Sequence, residues 1–178
     1  MKLHIFGASG AGVTTLGQAL SGKLNIPYFD SDQYFWEQSD PPFTIRRNPP
    51  ERNALLRNDL DLQDHWIMGG SVIHWGEDAL PPFDLIVFLW LPPAIRMDRL
   101  LRREHERYGD IIHTDPQRKE QTKAFLEWAA DYDNDTGIAT RTLHAHEQWL
   151  KQQTAPILEL RGDMTVNERL IKTLEQLT

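Results

Sequence analysis

Short apolar runs alternate with amphipathic stretches along the whole chain. Five runs have the length expected of β-strands: 3–6, 27–30, 66–68, 85–91 and 157–160. The fourth run is continuously apolar, which is typical of a strand buried on both faces of a parallel sheet. Helical periodicity fills the intervals at 14–24, 51–62, 94–107, 117–132, 139–152 and 166–177. This alternation predicts an α/β fold in which helices cover both sides of a parallel sheet.

Two stretches carry further expectations. The helix at 51–62 is expected to bury an apolar face made of Leu55, Leu56, Leu60 and Leu62. Residues 108–115 show little periodicity, and we expect this segment to be mobile. It lies inside a region at 104–140 that we interpret as a helical lid, since such lids close over ligands and exclude water.

Length, charge and residue usage narrow the classes of protein that fit this pattern. The 178 residues argue for one domain over 1–178 with its own apolar core. A net charge of −7 disfavours a general nucleic-acid binder or a membrane-surface binder, because both usually need a basic field. The absence of cysteine excludes disulfides, thiolate nucleophiles and cysteine-based metal sites. Arginine supplies 13 of the 19 basic residues, which indicates an anionic ligand.

The chain shows no sequence signal for membrane insertion or export. Its longest apolar run is seven residues, whereas ~20 are needed to span a bilayer. Glycines interrupt the N-terminal apolar residues before the hydrophobic region of a signal peptide is reached. We therefore expect a cytoplasmic protein, either a monomer or a homodimer.

The residues at 7–15, which we call the phosphate loop, follow the first strand and open the first helix. Glycines in that position let backbone N–H groups converge on an anion, and the helix N-terminus adds its dipole. Gly7, Gly12 and Thr14 fit the spacing G-x-x-x-x-G-K-[ST], except that Val13 stands where the lysine is expected. That loss should weaken the pull on a transferred phosphoryl group more than nucleotide docking. The predicted nucleotide contacts in the loop are Gly7, Ser9, Gly10, Ala11, Gly12, Val13, Thr14 and Thr15.

Two alternatives for this loop stay open. One is a glycine-rich turn without a ligand. The other is a dinucleotide site, and Asp30 stands where a ribose-binding acid would lie. The glycine order G-x-x-G-x-G differs from the G-x-G-x-x-G of such sites, which favours phosphate binding.

Asp30 and Asp32 end the second strand, at the edge of the sheet where the phosphate loop is expected. Ligands of open α/β sheets bind beyond the carboxyl ends of the strands, so both carboxylates should face the phosphates. With Thr14, they are candidates to hold Mg²⁺, and either could accept the proton of an attacking hydroxyl. The structural alternative for each is an N-cap of the next helix.

Further candidates for an acceptor site follow along the chain. Arg46 and Arg47, in a proline-flanked loop, could clamp a carboxylate or phosphate, or be solvated surface residues. Gly70 and Ser71 close the third strand at the same sheet edge. Trp75 could wall the acceptor, although an aromatic residue at such a position is more often a packing residue.

An arginine stripe is predicted on one helix. Arg96, Arg99, Arg103 and Arg107 recur at three- or four-residue spacing and therefore share a face. Next to a phosphate loop, these arginines favour a lid that closes over phosphates. Arg141 could point to the same phosphates. The alternative is an exposed helix with internal ion pairs. The pair His144 and His146 is not spaced for a shared metal, and we interpret both as surface or packing residues.

The whole chain resembles the P-loop nucleoside-monophosphate kinase and shikimate kinase group. It is more similar still to small bacterial adenylate-kinase-like proteins whose loop also lacks the lysine. The segments that carry the resemblance are 7–15, 29–36, 40–44, 70–71, 96–108, 125–130 and 160–163. It implies a three-layer P-loop NTPase fold with a five-stranded parallel sheet and a helical lid.

The resemblance also implies roles for particular residues. Asp30 and Asp32 would contact Mg²⁺ or the acceptor, and the segment 161–165, beginning with Arg161, would pack on the adenine. Lid arginines that hold phosphates would be Arg103, Arg107 or Arg141. These roles lead to the expectation of a kinase that moves the γ-phosphoryl group of ATP to a small anionic acceptor. A nucleotide-binding ATPase or sensor with little kinase activity is the alternative, and a dinucleotide-binding protein is a lesser one.

Overall fold

A central sheet organises the computed structural model, which describes residues 1–40, 42–76 and 80–177. Its strands are β1 (Lys2–Gly7), β2 (Tyr28–Asp30), β3 (Trp66–Gly69), β4 (Leu85–Trp90) and β5 (Ile157–Arg161). All four neighbouring pairs are parallel, in the order β2-β3-β1-β4-β5. The predicted α/β fold with a five-stranded parallel sheet is confirmed. Pro41, part of the 40–44 segment of the resemblance, lies outside the described residues.

The strand order bears on the dinucleotide alternative. Dinucleotide-binding folds place their strands in the order 3-2-1-4-5, with the first strand beside the second. Here β3 lies between β2 and β1, so the carboxyl ends of three neighbouring strands present the two glycine turns and the Asp30 turn together. The fold therefore gives the dinucleotide alternative no support.

The described part of the chain contains eight helices, seven between strands and one after the last strand. They are α1 (Val13–Leu24), α2 (Ser31–Phe35), α3 (Pro49–Asp61), α4 (Pro93–Tyr108), α5 (Ile111–Thr114), α6 (Pro116–Asn134), α7 (Leu143–Leu150) and α8 (Val166–Glu175). None of the described helices is long and apolar enough to cross a membrane.

The helices differ from the sequence prediction in three places. The short helix α2 was not predicted. The segment 108–115 contains the helix α5 rather than irregular chain, while its expected mobility stays a prediction. The helix predicted from 139 begins only at Leu143, because the Thr142 hydroxyl accepts a hydrogen bond from the Ala145 amide and caps the N-terminus there.

Alternate strand residues enter two apolar layers. Leu3 and Ile5 of β1 join α1 and α8 on one face, whereas Phe6 packs with Phe88 on the other. The face of α3 was predicted incorrectly in part: Leu56 and Leu60 are buried, but Leu55 and Leu62 are 39% and 78% exposed. The inward face of α3 runs through the i, i+4 series Arg52, Leu56 and Leu60, and the arginine at its start hides it from a search for apolar residues.

Candidate active site

A cleft of about 490 Å³ opens at the carboxyl edge of the sheet. It is bordered by the phosphate loop, the turns after β2 and β3, the inner face of α4 and the end of α6. The predicted site residues that line it are Gly7, Ser9, Gly10, Gly12, Val13, Thr14, Thr15, Asp30, Asp32, Gly70, Ser71, Arg103, Arg107 and Arg141. The structure thus brings residues from widely separated predicted elements into one site.

The phosphate loop has the backbone shape that an anion cradle needs. Gly12 caps α1 with a φ of 97°, a left-handed conformation that side chains other than glycine rarely adopt. The loop thus ends at the N-terminus of a 12-residue helix, whose dipole favours negative charge. The residues present therefore fit the phosphates of a nucleotide.

Two buried arginines hold the phosphate loop by its carbonyl groups, and one of them, Arg96, also borders the cleft. Arg169 of α8 donates from Nη1 to the Ala11 carbonyl at 2.6 Å. Arg96 of α4 donates from Nη1 to the Ser9 carbonyl at 3.2 Å, and from Nη2 to Asp133 at 2.6 Å. Both guanidinium groups are almost fully buried. Both arginines fix the loop by donating to its carbonyl groups. Ala11, a predicted nucleotide contact, does not line the cleft, and its carbonyl accepts the hydrogen bond from Arg169.

Sequence reasoning assigned Arg96 to the phosphate-facing stripe and did not single out Arg169. The available signal for Arg169 was an arginine on the same helical face as the apolar residues Leu170 and Leu174. A charged residue on the buried side of an amphipathic helix needs polar partners, and here those partners belong to the loop.

Val13 is the first residue of α1, where the loop lysine was expected. It is partly buried and packs against the apolar layer between β1, α1 and α8. The same side chain borders the cleft. The position therefore contributes packing to the core and no positive charge to the site.

Asp30 connects the loop to the turn after β2. Its Oδ2 accepts hydrogen bonds from the Thr14 hydroxyl at 3.1 Å and from the Tyr28 hydroxyl at 3.2 Å. Its Oδ1 accepts from the Asp32 amide at 3.0 Å and caps α2. Asp30 therefore has both of its predicted roles at once: its carboxylate caps the N-terminus of α2 and also holds the Thr14 hydroxyl at the site.

The oxygen atoms of Thr14 and Asp30 suit Mg²⁺, which prefers hard oxygen ligands and binds with few protein ligands beside nucleotide phosphates. Within the described ranges there is no group of three or more His, Asp or Glu side chains able to enclose a metal ion. The residues present thus fit an ion held jointly by the protein and a phosphate, rather than in a cage of side chains.

Asp32 faces the cleft between charges of both signs. Desolvation within the cleft and the neighbouring Asp30 carboxylate raise the pKa of Asp32, whereas Arg141 and Arg103 lower it, and the side chain remains exposed to solvent. A carboxylate whose pKa is pushed upward is a better proton acceptor than an ordinary aspartate. Asp32 is therefore a candidate for accepting a proton.

Three arginines point into the cleft without a carboxylate partner. Considering all described residues, no carboxylate oxygen lies within 4.0 Å of the guanidinium nitrogens of Arg103, Arg107 or Arg141. Burial lowers the pKa of Arg103 and of Arg141, and Arg107 further lowers that of Arg103. Aromatic rings lie against all three guanidinium groups at 4.9–5.7 Å. Two desolvated cations, Arg103 and Arg141, together with the exposed Arg107 form a cluster that an anion would stabilise.

The rest of the arginine stripe is distributed around these three. Arg99 pairs with Asp163 at 2.9 Å, at the end of the loop after β5. Arg102, off the stripe, points to solvent and pairs with Asp98 within the helix. The predicted stripe therefore exists as one face of α4 that looks into the cleft.

Besides Ala11, four predicted contact residues do not line the cleft. Arg46 is exposed and lies over the Phe35 ring, while Arg47 donates to the Tyr34 and Trp36 carbonyls. Trp75 is buried, and the Arg52 Cζ atom lies 3.9 Å from the centroid of its ring. Arg161 pairs with Glu159 and Glu147. Their proposed contacts with acceptor or adenine stay predictions.

Comparison with known proteins identifies close and distant relatives. No protein-family model matches the chain. The uncharacterized protein YqaC of Bacillus subtilis (strain 168) is 43% identical over 177 residues, which are 99% of this chain and 97% of YqaC. A shikimate kinase of Dechloromonas aromatica (strain RCB) is 28% identical over 129 residues, covering 66% of this chain and 69% of that enzyme.

Solved structures of small-molecule kinases share the fold. A deoxyadenosine kinase from M. mycoides with bound dATP superposes with a TM-score of 0.60 at 15% identity, over 99% of both chains. A shikimate kinase from Bacteroides thetaiotaomicron gives 0.57 at 19% identity, over 99% of this chain and 98% of that chain. The chain therefore belongs to the family of YqaC and has the fold of the P-loop kinases.

Proposed function

We propose that the protein transfers the γ-phosphoryl group of ATP to a small anionic acceptor. The observation that carries this proposal is the convergence of Arg103, Arg107 and Arg141 on a cleft whose other wall is the phosphate loop. Three cations without carboxylate partners beside a phosphate cradle are arranged for a ligand that carries several negative charges.

The phosphate side of the cleft would hold the nucleotide. The loop, fixed from behind by Arg96 and Arg169, presents its backbone and the N-terminus of α1 to the phosphates. Thr14 and Asp30 would hold Mg²⁺, directly or through water. A bound Mg²⁺ ion supplies neutralisation of phosphate charge. Arg103 and Arg107 would add the positive charge that Val13 does not provide.

The opposite side of the cleft would hold the acceptor. Asp32 lies where it could accept the proton of an attacking hydroxyl, and its raised pKa suits that role. Arg141, close enough to Asp32 to lower the pKa of that carboxyl, would bind the anionic group of the acceptor. The acceptor hydroxyl would then lie between a proton acceptor and the phosphates.

The proposal is tested by a transfer assay with radiolabelled ATP and Mg²⁺. The acceptor panel contains nucleoside monophosphates, deoxynucleosides, shikimate and gluconate, and the products are separated by chromatography. We expect a labelled product with at least one anionic acceptor. Loss of that product in Asp32→Asn, in a protein that still unfolds cooperatively, would locate the chemistry. A folded protein that labels nothing in the panel contradicts the proposal.

A second candidate is a nucleotide-binding module with little turnover. The packing of Val13 against the apolar core favours it, because the usual point charge on the transferred phosphoryl group is missing. This candidate predicts that ATP with Mg²⁺ raises the melting temperature while no acceptor becomes labelled, since a ligand that binds only the native state stabilises it. The absence of any thermal shift with ATP or GTP contradicts both candidates.

A further inference from the structure

A buried hydrogen-bonded relay closes the acceptor side of the cleft. The Nε2 atom of His146 lies 2.9 Å from the Ser71 hydroxyl, and its Nδ1 atom lies 2.9 Å from the Tyr132 hydroxyl. The three residues come from α7, the turn after β3 and α6, and all three line the cleft. His146 is only 1% exposed, so its side chain is a component of the site and not a surface residue.

The imidazole ring is fixed by aromatic contacts. Phe6 of β1 and Phe88 of β4 meet it edge-to-face, with centroids 4.9 and 6.1 Å away. These strands form the centre of the sheet, and both rings belong to the same apolar cluster. The ring of His146 therefore cannot swing away from Ser71 without disturbing the core.

His146 is uncharged in the folded protein. Burial lowers its pKa to about 3, and the nearby Arg141, His4 and His74 act in the same direction. A neutral imidazole has one N–H donor and one lone pair. When Nε2 donates to Ser71, the Ser71 hydrogen is free for the cleft, and Tyr132 donates to Nδ1. In the other tautomer Ser71 donates to Nε2 and offers only lone pairs to the cleft, while the Tyr132 hydrogen is released.

The Ser71 hydroxyl can thus either donate to a ligand or accept from it, depending on the tautomer. A ligand hydroxyl is the group that matches both states, since it too donates and accepts. The turn that carries Ser71 is closely packed: Gly70 has a φ of 96°, and a Cβ there would overlap the Ser31 side chain. His146 thus holds the Ser71 hydroxyl by one hydrogen bond and leaves its remaining donor or acceptor capacity for the cleft.

We propose that His146 is a positioning residue that holds the Ser71 hydroxyl toward the acceptor and selects an acceptor with an uncharged hydroxyl beside its anionic group. The anionic group would lie at Arg141, which borders the same part of the cleft. This inference rests on the proposed function, and it narrows the acceptor to hydroxylated small anions.

Binding experiments test the selection. Shikimate and gluconate serve as hydroxylated probes, with cyclohexanecarboxylate and hexanoate as probes of similar size without hydroxyls. Each is titrated by calorimetry into the protein saturated with Mg²⁺ and a non-hydrolysable ATP analogue. We expect at least one hydroxylated probe to bind more tightly than its hydroxyl-free counterpart, and Ser71→Ala to weaken that binding about tenfold, the loss typical of one hydrogen bond in a desolvated site. Equal affinities, or no binding of either hydroxylated probe, would overturn the inference.

Variants of the relay separate positioning from folding. His146→Leu should weaken the hydroxylated probe as much as Ser71→Ala does, and the double variant should lose no more than either single variant. His146→Gln, which keeps a donor and an acceptor, should restore part of the affinity. The matched control is His144→Leu, an exposed position on the same helix, and it should bind normally. If His146→Leu does not fold, Tyr132→Phe tests the other end of the relay with the removal of a single oxygen. Additive losses in Ser71→Ala and the relay variant would overturn the inference.

Nitrogen NMR of ¹⁵N-histidine protein supplies a readout that a purely structural role would not change. We expect the His146 resonances of a neutral ring, shifted by Ser71→Ala and again when the hydroxylated probe binds. A resonance unchanged by the probe would overturn the positioning role. Thermal stabilisation by ATP and Mg²⁺ alone reports separately on the proposed function, because neither Ser71 nor His146 contributes to the phosphate loop.

Discussion

Two groups of arginines surround the phosphate loop, and their partners differ. Arg96 and Arg169, which we call the rear arginines, are buried and donate to backbone carbonyls of the loop. In front of it, Arg103 and Arg141 are desolvated by the cleft but have no carboxylate within ion-pair distance among the described residues. The first pair is satisfied by the protein itself, whereas the second still needs an anion. Arginine therefore has two roles here: Arg96 and Arg169 support the loop, whereas Arg103 and Arg141 are available to an anionic ligand.

On the proposed function, the cleft arginines (Arg103, Arg107 and Arg141) would take the part of the loop lysine. The charge is absent from residue 13, but the cleft arginines place several cations across from that position. An arginine can stabilise a phosphoryl group during transfer as effectively as a lysine, because the paired N–H donors of its planar guanidinium group match the oxygens of phosphate. Four predictions test whether the rear arginines (Arg96 and Arg169) act on stability and the cleft arginines (Arg103, Arg107 and Arg141) act on ligand binding and transfer.

The largest effect is expected behind the loop. Arg96→Met should lower the free energy of unfolding by about 3–5 kcal/mol, because it leaves Asp133 without its cation and two carbonyls without a donor. Arg102→Met, on the exposed side of the same helix, should change it by no more than about 0.5 kcal/mol. Urea denaturation measures both. Equal effects of the two variants would remove the distinction between the rear arginines and the others.

Substituting a cleft arginine should lower the rate of phosphoryl transfer without lowering the free energy of unfolding. Arg103→Met is expected to reduce phosphoryl transfer by about 10²–10³, equivalent to about 3–4 kcal/mol of transition-state stabilisation. Its free energy of unfolding should stay the same or rise, because a desolvated cation next to Arg107 is removed. Steady-state kinetics and urea denaturation of the same preparation, with Arg102→Met as the control, measure the two quantities. A large loss of stability would place Arg103 with the rear arginines.

Lowering the pH should destabilise the protein through its buried histidines, whereas the buried arginines stay charged. His4 and His146 have pKa values lowered to about 3 from an ordinary value of 6.5. Below pH 6.5 the unfolded chain therefore binds protons that the native protein does not. The free energy of unfolding should fall with decreasing pH by up to ~1.4 kcal/mol per pH unit for each histidine, until the folded-state pKa is reached.

Denaturation between pH 6.5 and 5.5 measures this slope, above the range in which the acids with lowered pKa values, Asp131 and Glu168, contribute. His146→Gln should remove about half of it. Arg103→Met should leave it unchanged, since a guanidinium group keeps its proton at every pH used. A slope unaffected by His146→Gln would mean that His146 is charged in the native protein.

The smallest effect is expected at Val13. Val13→Lys should tighten ATP binding about tenfold, or ~1.4 kcal/mol, with some loss of stability from the apolar layer that Val13 contacts. The gain should be larger in the Arg103→Met background, where less positive charge is present. Thermal shift titrations with ATP and Mg²⁺ compare the four proteins. A gain that is identical in both backgrounds would show that Arg103 and residue 13 do not act on the same phosphates.

Local pattern was sufficient to predict the sheet, the phosphate loop and the Asp30 turn. Each depends on neighbours in sequence: an apolar run, glycines at fixed spacing, and acids where a strand ends. Because parallel strands deliver their carboxyl ends to one edge, these short motifs could be placed together without knowing any long-range contact. The helical face of α4 followed from the same local periodicity.

The rear arginines and the relay could not be predicted in this way. The Arg169 contact joins residues 158 positions apart, and the bond between Ser71 and His146 joins residues 75 apart. In each case the sequence does not display the partner of the polar group, even where, as for Arg169, the position of the residue on an apolar helical face hints at burial. An arginine or histidine on the inner face of a helix looks like a break in the apolar pattern until its partner is located.

The attachment of α6 has a mechanical consequence. Ala129 and Asp133 bind Arg96 at the start of α4, and Tyr132, between them, bonds to His146. Farther along the hairpin, Glu104 of α4 meets Arg118 and Thr122 of α6, so the two helices are joined there as well. A movement of α4 away from the cleft would therefore have to carry α6 with it or break these contacts. Because Arg96 also reaches the Ser9 carbonyl and Tyr132 reaches His146, the same pair of helices borders both the phosphate loop and the Ser71 side of the cleft.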